Sequence, residues 1–326
     1  MPIARRQFLQ LAAAGLPVFH AASARAALSL PTNMRIICPY PAGDASDAFC
    51  RAVSESLRAD FGRTVLVDNK PGGLGLIGLT DLARSPRDGS TIAFIGSQHV
   101  TLQTLQKKFD LLKNMSPITR INYGPMCICV PANSPYKTIE QLLKAMVDKP
   151  GTITYGSGGI GTPAHLGLEV LKGKVPGLSA VHVPFKAASE SLQAVMAGQL
   201  DCAMAITATA FPLAMDKRIR VLAVTGNKRT TALPDVPTMT EKAVPGFVWT
   251  WWGGFAAPPG TPAPVLEELR VALVAAIEKP EMRKLLDLSS SEVAPSKTSA
   301  QFVQELQQEI DTQTLLIKQN NITMDS

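Results

Sequence analysis

The sequence predicts an α/β protein built as two lobes that are joined by two crossover strands. Short apolar runs alternate with amphipathic segments from residue 34 onward, and the alternation starts again after residue 130. Strands that alternate with helices in this way form a parallel sheet with helices on its faces. The chain has 326 residues, of which 46% are hydrophobic, so it is long and apolar enough to bury two cores of ordinary size.

The N-terminal segment has the layout of an export signal. The pair Arg5-Arg6 precedes an apolar run over residues 11–19, and residues 24–26 (Ala-Arg-Ala) form a small-residue cleavage site. The arginine pair favours the twin-arginine type, with a Sec signal as the alternative. A membrane anchor needs about 20 apolar residues, and this run is about half as long and contains Pro17. We therefore predict a cleaved signal peptide over residues 1–26 and a periplasmic mature protein.

Charge and cysteine content argue against several classes of protein. Cleavage after residue 26 removes three arginines and no acidic residue, so the formal net charge falls from +6 to +3. A charge this small does not indicate a nucleic-acid-binding protein. Five cysteines leave at least one thiol unpaired in an oxidising compartment. Cys127 and Cys129 are expected to share one buried face of a strand. No C-x-x-C spacing occurs and the histidines are scattered, so we predict neither a metal site nor a cofactor.

The first lobe is predicted from five segments in β-α-β-α-β order. They are RIICPYP, SDAFCRAVSESLRADFG, TVLVDN, LGLIGLTDLARS and TIAFIG. In the first helix an apolar stripe of helical spacing begins at Phe49, and Gly62 ends the helix. Two helical patterns near the C-terminus, which start after Pro262 and after Thr298, are expected to pack back on this lobe.

The second lobe begins with a helix whose capping pattern is Thr138-x-x-Gln141, and it continues with alternating strands and helices up to RVLAVTG. Two apolar, extended segments, INYGPMCICVP and WTWWGGFAAPPGTP, are predicted to cross between the lobes. We therefore assign residues 27–126 plus 249–326 to lobe 1 and residues 127–248 to lobe 2. The three tryptophans of the second crossing are expected to pack at the hinge, with the wall of an aromatic ligand site as the alternative.

The first candidate binding loop runs from Pro39 to Asp47, from the end of a strand into the start of a helix. Free N–H groups and the helix dipole at such a junction favour a bound anion. Ser46 and Asp47 are candidate contacts. Capping of the helix is the alternative role for both, and for Asp47 the two roles are equally open. Asp44 adds a negative charge that disfavours an anion.

The second candidate loop runs from Tyr155 to His165 and has four glycines in six residues, which permits close approach of a ligand to the backbone. Thr162 is the predicted N-cap of the helix that follows. For His165, ligand contact and core packing are both open. A hydrolase that uses Ser157 and His165 is a rival, but the G-x-S-x-G motif lacks its first glycine here.

Residues 73–78 read GLGLIG, a literal G-x-G-x-x-G after a strand. The next strand ends at Gly96-Ser97 and lacks the acid that would bind a ribose. We interpret these glycines as a tight turn that packs a helix against the sheet.

Eight ordered blocks resemble the tripartite tricarboxylate transporter receptor family, the Bug or TctC-type binding proteins. The blocks are PYPAGDASDAFCR, VDNKPGGLGLIG, SPRDGSTIAFIG, TYGSGGIGTPAHL, VHVPFKAASESLQAVMAGQLD, RVLAVTGNKR, LPDVPTMTE and GFAAPPGTP. The resemblance spans nearly all of the mature chain. It implies a two-lobed type II periplasmic-binding-protein fold, a Venus flytrap, that closes on a carboxylate and has no catalytic residue. Implied partners are a small organic acid and either the permease subunits of a tripartite tricarboxylate-type transporter or a sensor kinase, with a monomeric receptor expected.

Carried over residue by residue, the resemblance implies ligand contacts on both lobes. They are Tyr40, Ser46, Asp47 and Ser97 on lobe 1, and Ser157, Gly161, Thr162 and His165 on lobe 2, with the helix near Lys186 as support. Two departures stand out. Residues 42–45 read AGDA where the family usually has a Pro-Gly-Gly-Gly loop, and Ala205 replaces the usual acid after a DVMF-type strand. The lost acid disfavours an amino group on the ligand, so a plain carboxylic acid is favoured.

Overall fold

A computed structural model describes residues 29–288 and 290–323 of the chain. The predicted signal peptide lies outside the described residues. Among the described residues, no helix combines the length and the apolar character that a bilayer crossing requires.

Twelve helices and ten strands make up the described part of the chain. The strands are β1 (Asn33–Cys38), β2 (Thr64–Asn69), β3 (Thr91–Gly96), β4 (Ser116–Pro131), β5 (Thr154–Ser157), β6 (Val181–Pro184), β7 (Cys202–Ile206), β8 (Ile219–Val224), β9 (Thr250–Ala257) and β10 (Glu292–Val293). The helices are α1 (Ala45–Phe61), α2 (Leu76–Ala83), α3 (Val100–Thr104), α4 (Leu111–Asn114), α5 (Ile139–Asp148), α6 (Pro163–Lys174), α7 (Ala188–Met196), α8 (Thr207–Met215), α9 (Met239–Lys242), α10 (Ala263–Ile277), α11 (Pro280–Leu288) and α12 (Ser299–Gln319).

The two lobes share one long strand, β4. In lobe 1 the strand order is β2-β1-β3-β9-β4, with β1 parallel to both β2 and β3 and with β9 antiparallel to its neighbours. In lobe 2, β4 pairs with β8 and β7, and β5 and β6 follow in parallel beyond β7. The predicted α/β organisation with a largely parallel sheet in each half is therefore confirmed.

The crossings are made by β4 and by the segment that enters β9. Residues 116–125 of β4 pair with β9 in lobe 1, and residues 126–131 pair with β7 and β8 in lobe 2. On the return crossing the Trp249 amide donates to the Thr225 carbonyl at 2.8 Å, so the chain stays tied to lobe 2 up to this point. The first crossing therefore lies within β4, and the second follows the Trp249–Thr225 hydrogen bond.

Each lobe buries apolar side chains on both faces of its sheet. In lobe 1, Phe49 and the rest of the predicted stripe of α1 pack with β1 and α10, and Gly62 ends α1 in the left-handed conformation that glycine permits. The expectation for α12 is only half right. Its first half packs on lobe 1 through Phe302 and Leu306, but Leu316 near its end packs against the core of lobe 2. The apolar stripe continues beyond the first lobe, so α12 spans both.

The tryptophans at the second crossing pack as expected. The ring of Trp249 covers Gly167 of α6, and its indole N–H donates to the Pro163 carbonyl at 2.8 Å. The ring of Trp252 meets Phe302 edge to face with centroids 5.6 Å apart. All five cysteines are buried and unpaired, which confirms the prediction for Cys127 and Cys129.

Candidate ligand-binding site

The first candidate loop ends in a helix cap that differs from the predicted one. Asp44 is the N-cap of α1, and its carboxylate accepts the Ser46 amide at 2.9 Å. The charge that disfavoured an anion in the sequence is thus partly used to cap the helix. The alternative that Ser46 or Asp47 caps α1 is wrong, because Asp44 occupies the N-cap position two residues before Ser46 and three before Asp47.

Asp47 is 4% exposed, and its carboxylate is held by three donors. Gly43 N–H, Arg51 Nε and Asn69 Nδ2 each donate to it at 2.9 Å. Burial raises the pKa of Asp47, but hydrogen bonds from Arg51, Gly43 and Asn69 outweigh it, so the pKa lies below its ordinary value. This geometry gives Asp47 a structural role other than capping, as an ionised carboxylate that fixes the shape of the loop.

Tyr40 and Ser97 lie at neighbouring strand ends on lobe 1. The Tyr40 ring meets Phe94 and His99 edge to face, with centroids 5.9 and 5.8 Å apart. Its hydroxyl reaches Gly96, where an added Cβ would lie 3.0 Å from the oxygen. Ser97 opens a short 3-10 turn that ends at His99, and His99 Nδ1 accepts the Gly96 amide at 2.8 Å. Burial lowers the pKa of His99 to about 4, so the ring is neutral at pH 7.

The glycines of residues 73–78 form the packing turn that the sequence predicted. Gly75 has φ +90°, and a Cβ there would lie 2.3 Å from His99 Nε2. A Cβ on Gly78 would lie 3.1 Å from side-chain atoms of Ile37 and Pro39. Side chains at these positions would push α2 off the sheet, which explains the glycines without a nucleotide.

The second candidate loop begins α6 as predicted. Thr162 is the N-cap and accepts the His165 amide, and Pro163 occupies the first helical position. His165 is fully buried, and its Nδ1 accepts the Gly161 amide at 3.2 Å. Of the two roles left open for His165, this position favours packing beneath the turn.

Ser157 is paired with a histidine that the sequence did not single out. Its Oγ lies 2.7 Å from His182 Nε2, and the Gly159 amide also donates to this oxygen at 3.1 Å. The His182 ring stacks on Tyr155 with centroids 4.7 Å apart and lies 4.3 Å from the ring of His165. The Ser157–His165 pair that the hydrolase rival requires is therefore replaced by Ser157–His182. Only the adjacency of β5 and β6 brings the two together, and this adjacency is not visible in the sequence.

The turn of lobe 2 touches lobe 1 directly. Thr101 Oγ1 donates to the Gly161 carbonyl at 2.8 Å across the gap between the lobes. A Cβ on Gly161 would lie 2.8 Å from Thr101 Cγ2 and 2.9 Å from Leu74 Cδ1. The structure is therefore a closed arrangement, in which Thr101 and Leu74 of lobe 1 meet Gly161 of the glycine turn.

Backbone donors collect beside this turn. Helix α7 begins at Ala188 and its N-cap is Ala187, which has no side-chain group to cap it. A Cβ on Gly158 would lie 2.9 Å from the Ala188 nitrogen, so the turn and the helix start lie side by side. Within the described part of the chain, the amides of Gly158 and Ile160 have no hydrogen-bond partner. The predicted supporting helix thus starts two residues after Lys186 and presents its positive end to the turn.

Ala205 lies in β7 opposite Cys127, with its side chain buried among apolar residues. An acid at this position would enter an apolar cluster.

A cavity of about 300 Å³ lies between the lobes on the side of α3, α6 and α12. Of the predicted contact residues, Ser97 lines it. Trp249, for which the wall of an aromatic ligand site was the alternative role, lines it as well. The sequence did not point to the walls from α3, α6 and α12, because these segments lie far apart in the chain.

Comparisons with known proteins agree with this geometry. The family model described as "Tripartite tricarboxylate transporter family receptor" matches residues 49–322. A UPF0065 protein from the tcbD-tcbE intergenic region of Pseudomonas sp. (strain P51) is 33% identical over 77% of this chain and 75% of that protein. A second UPF0065 protein, from Bordetella pertussis (strain Tohama I), is 30% identical over 84% of this chain and 85% of that protein. The solved structure of the periplasmic binding protein BugD superposes with a TM-score of 0.81 at 26% identity, covering 89% of this chain and 98% of BugD. The two-lobed periplasmic-binding-protein fold is thereby confirmed.

Proposed function

The chain belongs to the tripartite tricarboxylate transporter receptor family, and on that premise we propose that it captures a small organic acid between its lobes in the periplasm. The observation that carries the proposal is the closed contact between Thr101 and Gly161, next to a group of backbone donors on lobe 2. A ligand held at this junction touches both lobes, so its binding energy favours closure.

The donors that we propose for the carboxylate differ from those that the loop glycines suggested. The amides of Gly43 and Gly161 are both used within their own loops, by Asp47 and by His165. The amides of Gly158 and Ile160 and the first turn of α7 remain as the anion-binding group of lobe 2. From lobe 1, the hydroxyls of Tyr40 and Ser97 complete the site.

The energetics of this arrangement are sufficient for a transport receptor. Micromolar affinity corresponds to about 8 kcal/mol. Charge-assisted hydrogen bonds contribute roughly 1.5–3 kcal/mol each, so four or five of them reach this value after the cost of ordering the lobes.

The partner that recognises the closed receptor is, in this proposal, the permease of a tripartite tricarboxylate-type transporter, with a sensor kinase as the alternative. The family consists of receptors, and we propose that this member performs no catalysis. A screen of ester and amide substrates tests the alternative that the protein is a hydrolase. That alternative requires turnover of a substrate by the wild type and loss of this turnover in His182→Ala. Neither partner changes the binding site itself.

Thermal unfolding of the purified protein against a panel of mono-, di- and tricarboxylates tests the proposal. A ligand at 100 times its Kd adds about 2.7 kcal/mol, which raises the Tm of a protein of this size by several degrees. The primary amide of each acid is the matched control, since it keeps the shape and removes the charge. Equal shifts with acids and amides, or flat melting temperatures throughout, would contradict the proposal.

A further inference from the structure

The cavity between the lobes is distinct from the proposed acid site. We call it the hinge cavity and define it by its lining residues: Ser97, Thr101, Pro163, Leu166, Val248, Trp249, Thr250, Gln308, Glu309, Thr312, Gln313 and Leu316. The two sites share Ser97, and the Thr101–Gly161 hydrogen bond lies at their boundary. Its volume of about 300 Å³ is at the lower end of the range for small-molecule sites.

Glu309 is the one charged residue among the described residues that line the hinge cavity. Glu309 projects from α12, and one of its oxygens accepts the indole N–H of Trp252. Burial raises the pKa of Glu309 to about 7. A nearby cation favours the ionised form of a partly buried carboxyl group such as this one.

The described part of the chain provides no such cation. No lysine or arginine of the described residues lies within 4 Å of the Glu309 carboxylate. Arg120 is near enough to lower the pKa of Glu309, but its guanidinium is directed to the Ala294 carbonyl and to Glu305. No ion pair within this part of the chain therefore balances the charge that Glu309 carries when it is ionised.

The remaining walls suit an organic ammonium ion. Trp249 contributes an indole whose orientation is fixed by its hydrogen bond to Pro163, and an aromatic face attracts cations. Thr250 and Ser97 also line the cavity, and each carries a hydroxyl oxygen, which is a hydrogen-bond acceptor. A carboxylate, an aromatic wall and hydroxyl oxygens form the set that recognises an ammonium group carrying a short polar or apolar chain.

We propose that the hinge cavity binds a small organic ammonium ion between Glu309 and Trp249, as a second ligand that stabilises the closed lobes. Closure is favoured because the walls come from both lobes: Thr101 and Glu309 belong to lobe 1, and Pro163 and Leu166 to lobe 2. An occupant that contacts both sides binds the closed form better than the open form. By linkage, the ammonium ion must raise the affinity for the acid by the same factor by which the acid raises the affinity for the ammonium ion.

Titration calorimetry of the purified protein at constant ionic strength tests the proposal with three probes: 2-aminoethanol hydrochloride, choline chloride and putrescine dihydrochloride. We expect saturable binding of at least one probe and none of ethylene glycol, the neutral match of 2-aminoethanol. Glu309→Gln keeps the shape of the side chain and removes the charge, and we expect it to weaken binding at least tenfold. Asp311→Asn removes the same charge from an exposed position of the same helix and should leave binding unchanged.

A steric variant and the acid site complete the test. Thr312→Leu fills the cavity without altering the carboxyl group, and it should abolish probe binding while the protein still melts cooperatively and still binds its acid. Saturating probe should raise the affinity for the acid severalfold in the wild type and not in Glu309→Gln. Absence of saturable binding by all three probes, or equal affinity in Glu309→Gln, would overturn the proposal. Because acid binding is measured separately, either outcome leaves the proposed function to its own test.

Discussion

Gly161 is the point at which a single methyl group tests whether closure of the lobes underlies ligand binding. Its φ is +83°, and an added Cβ would lie 2.8 Å from Thr101 Cγ2 and 2.9 Å from Leu74 Cδ1. Gly161→Ala therefore has two separate costs. The left-handed backbone costs alanine about 1–2 kcal/mol in any folded state, open or closed. The collision with Thr101 and Leu74 exists only when the lobes are closed.

The second cost determines the effect on binding. Overpacking of this kind typically costs about 1–3 kcal/mol, and here it falls on the closed form alone. Because the ligand binds the closed form, the same free energy appears as a loss of affinity of about 5- to 150-fold. The backbone strain lowers the free energy of unfolding but leaves the affinity unchanged.

Gly198→Ala separates the two costs. Gly198 has φ +71° in the same lobe, and an added Cβ would meet nothing within 4 Å. Calorimetric titration with the carboxylate that gives the largest thermal shift should show weakened binding in Gly161→Ala alone, while both variants melt earlier than the wild type. The reasoning is refuted if Gly161→Ala binds within twofold of the wild type, or if Gly198→Ala loses as much affinity.

Three further outcomes follow from the same structure. Thr101→Val removes the hydrogen bond to Gly161 and should weaken acid binding about 5- to 10-fold in a calorimetric titration. Thr101→Ser keeps the hydroxyl group, so its affinity for the acid should stay within twofold of the wild type. Equal loss of affinity in both variants would show that the methyl contact, and not the hydrogen bond, matters. The pKa of Glu309 is raised to about 7, so the folded state binds more protons than the unfolded state between about pH 4.5 and 7. Ionisation of this carboxyl group therefore makes the protein less stable as the pH rises through that range. Urea unfolding of Glu309→Gln should therefore match the wild type below pH 4.5 and exceed it by up to about 3 kcal/mol above pH 7, and parallel curves would contradict the assignment. Burial raises the pKa of Cys129 to about 12, so iodoacetamide at pH 8 should leave this thiol unmodified in the native protein. In urea the same reagent should alkylate it, and mass spectrometry measures both outcomes. Rapid alkylation of the native protein would show that β4 is not buried.

The elements that the sequence predicted well are those specified by short-range chemistry. Thr138 and Thr162 cap their helices as expected, because the N-cap hydroxyl and the amide that it accepts are three residues apart. The glycine turn at residues 73–78 was also interpretable locally, since its spacing recurs where a helix packs closely on a strand. The cap of α1 was misplaced by two or three residues because Asp44, Ser46 and Asp47 are all good capping residues.

The site itself depends on distances that no local pattern encodes. The pairing of Ser157 with His182 requires β5 and β6 to be neighbours. The contact of Thr101 with Gly161 requires the lobes to close on one another, across a separation of 60 residues. Glu309 reaches the hinge cavity only because α12 continues from one lobe onto the other. The sequence pattern of α12 shows that the helix has an apolar stripe, but it does not show which surface that stripe packs against.

A crystal structure of the protein with the most stabilising carboxylate bound tests the central claim most directly. We expect the acid between the lobes, with carboxylate oxygens about 3 Å from amides of the Gly158–Ile160 turn or the start of α7, and with a hydroxyl of Tyr40 or Ser97 completing the contact from the other side. An acid found elsewhere on the molecule, with these amides still unoccupied and the lobes apart, would contradict the account.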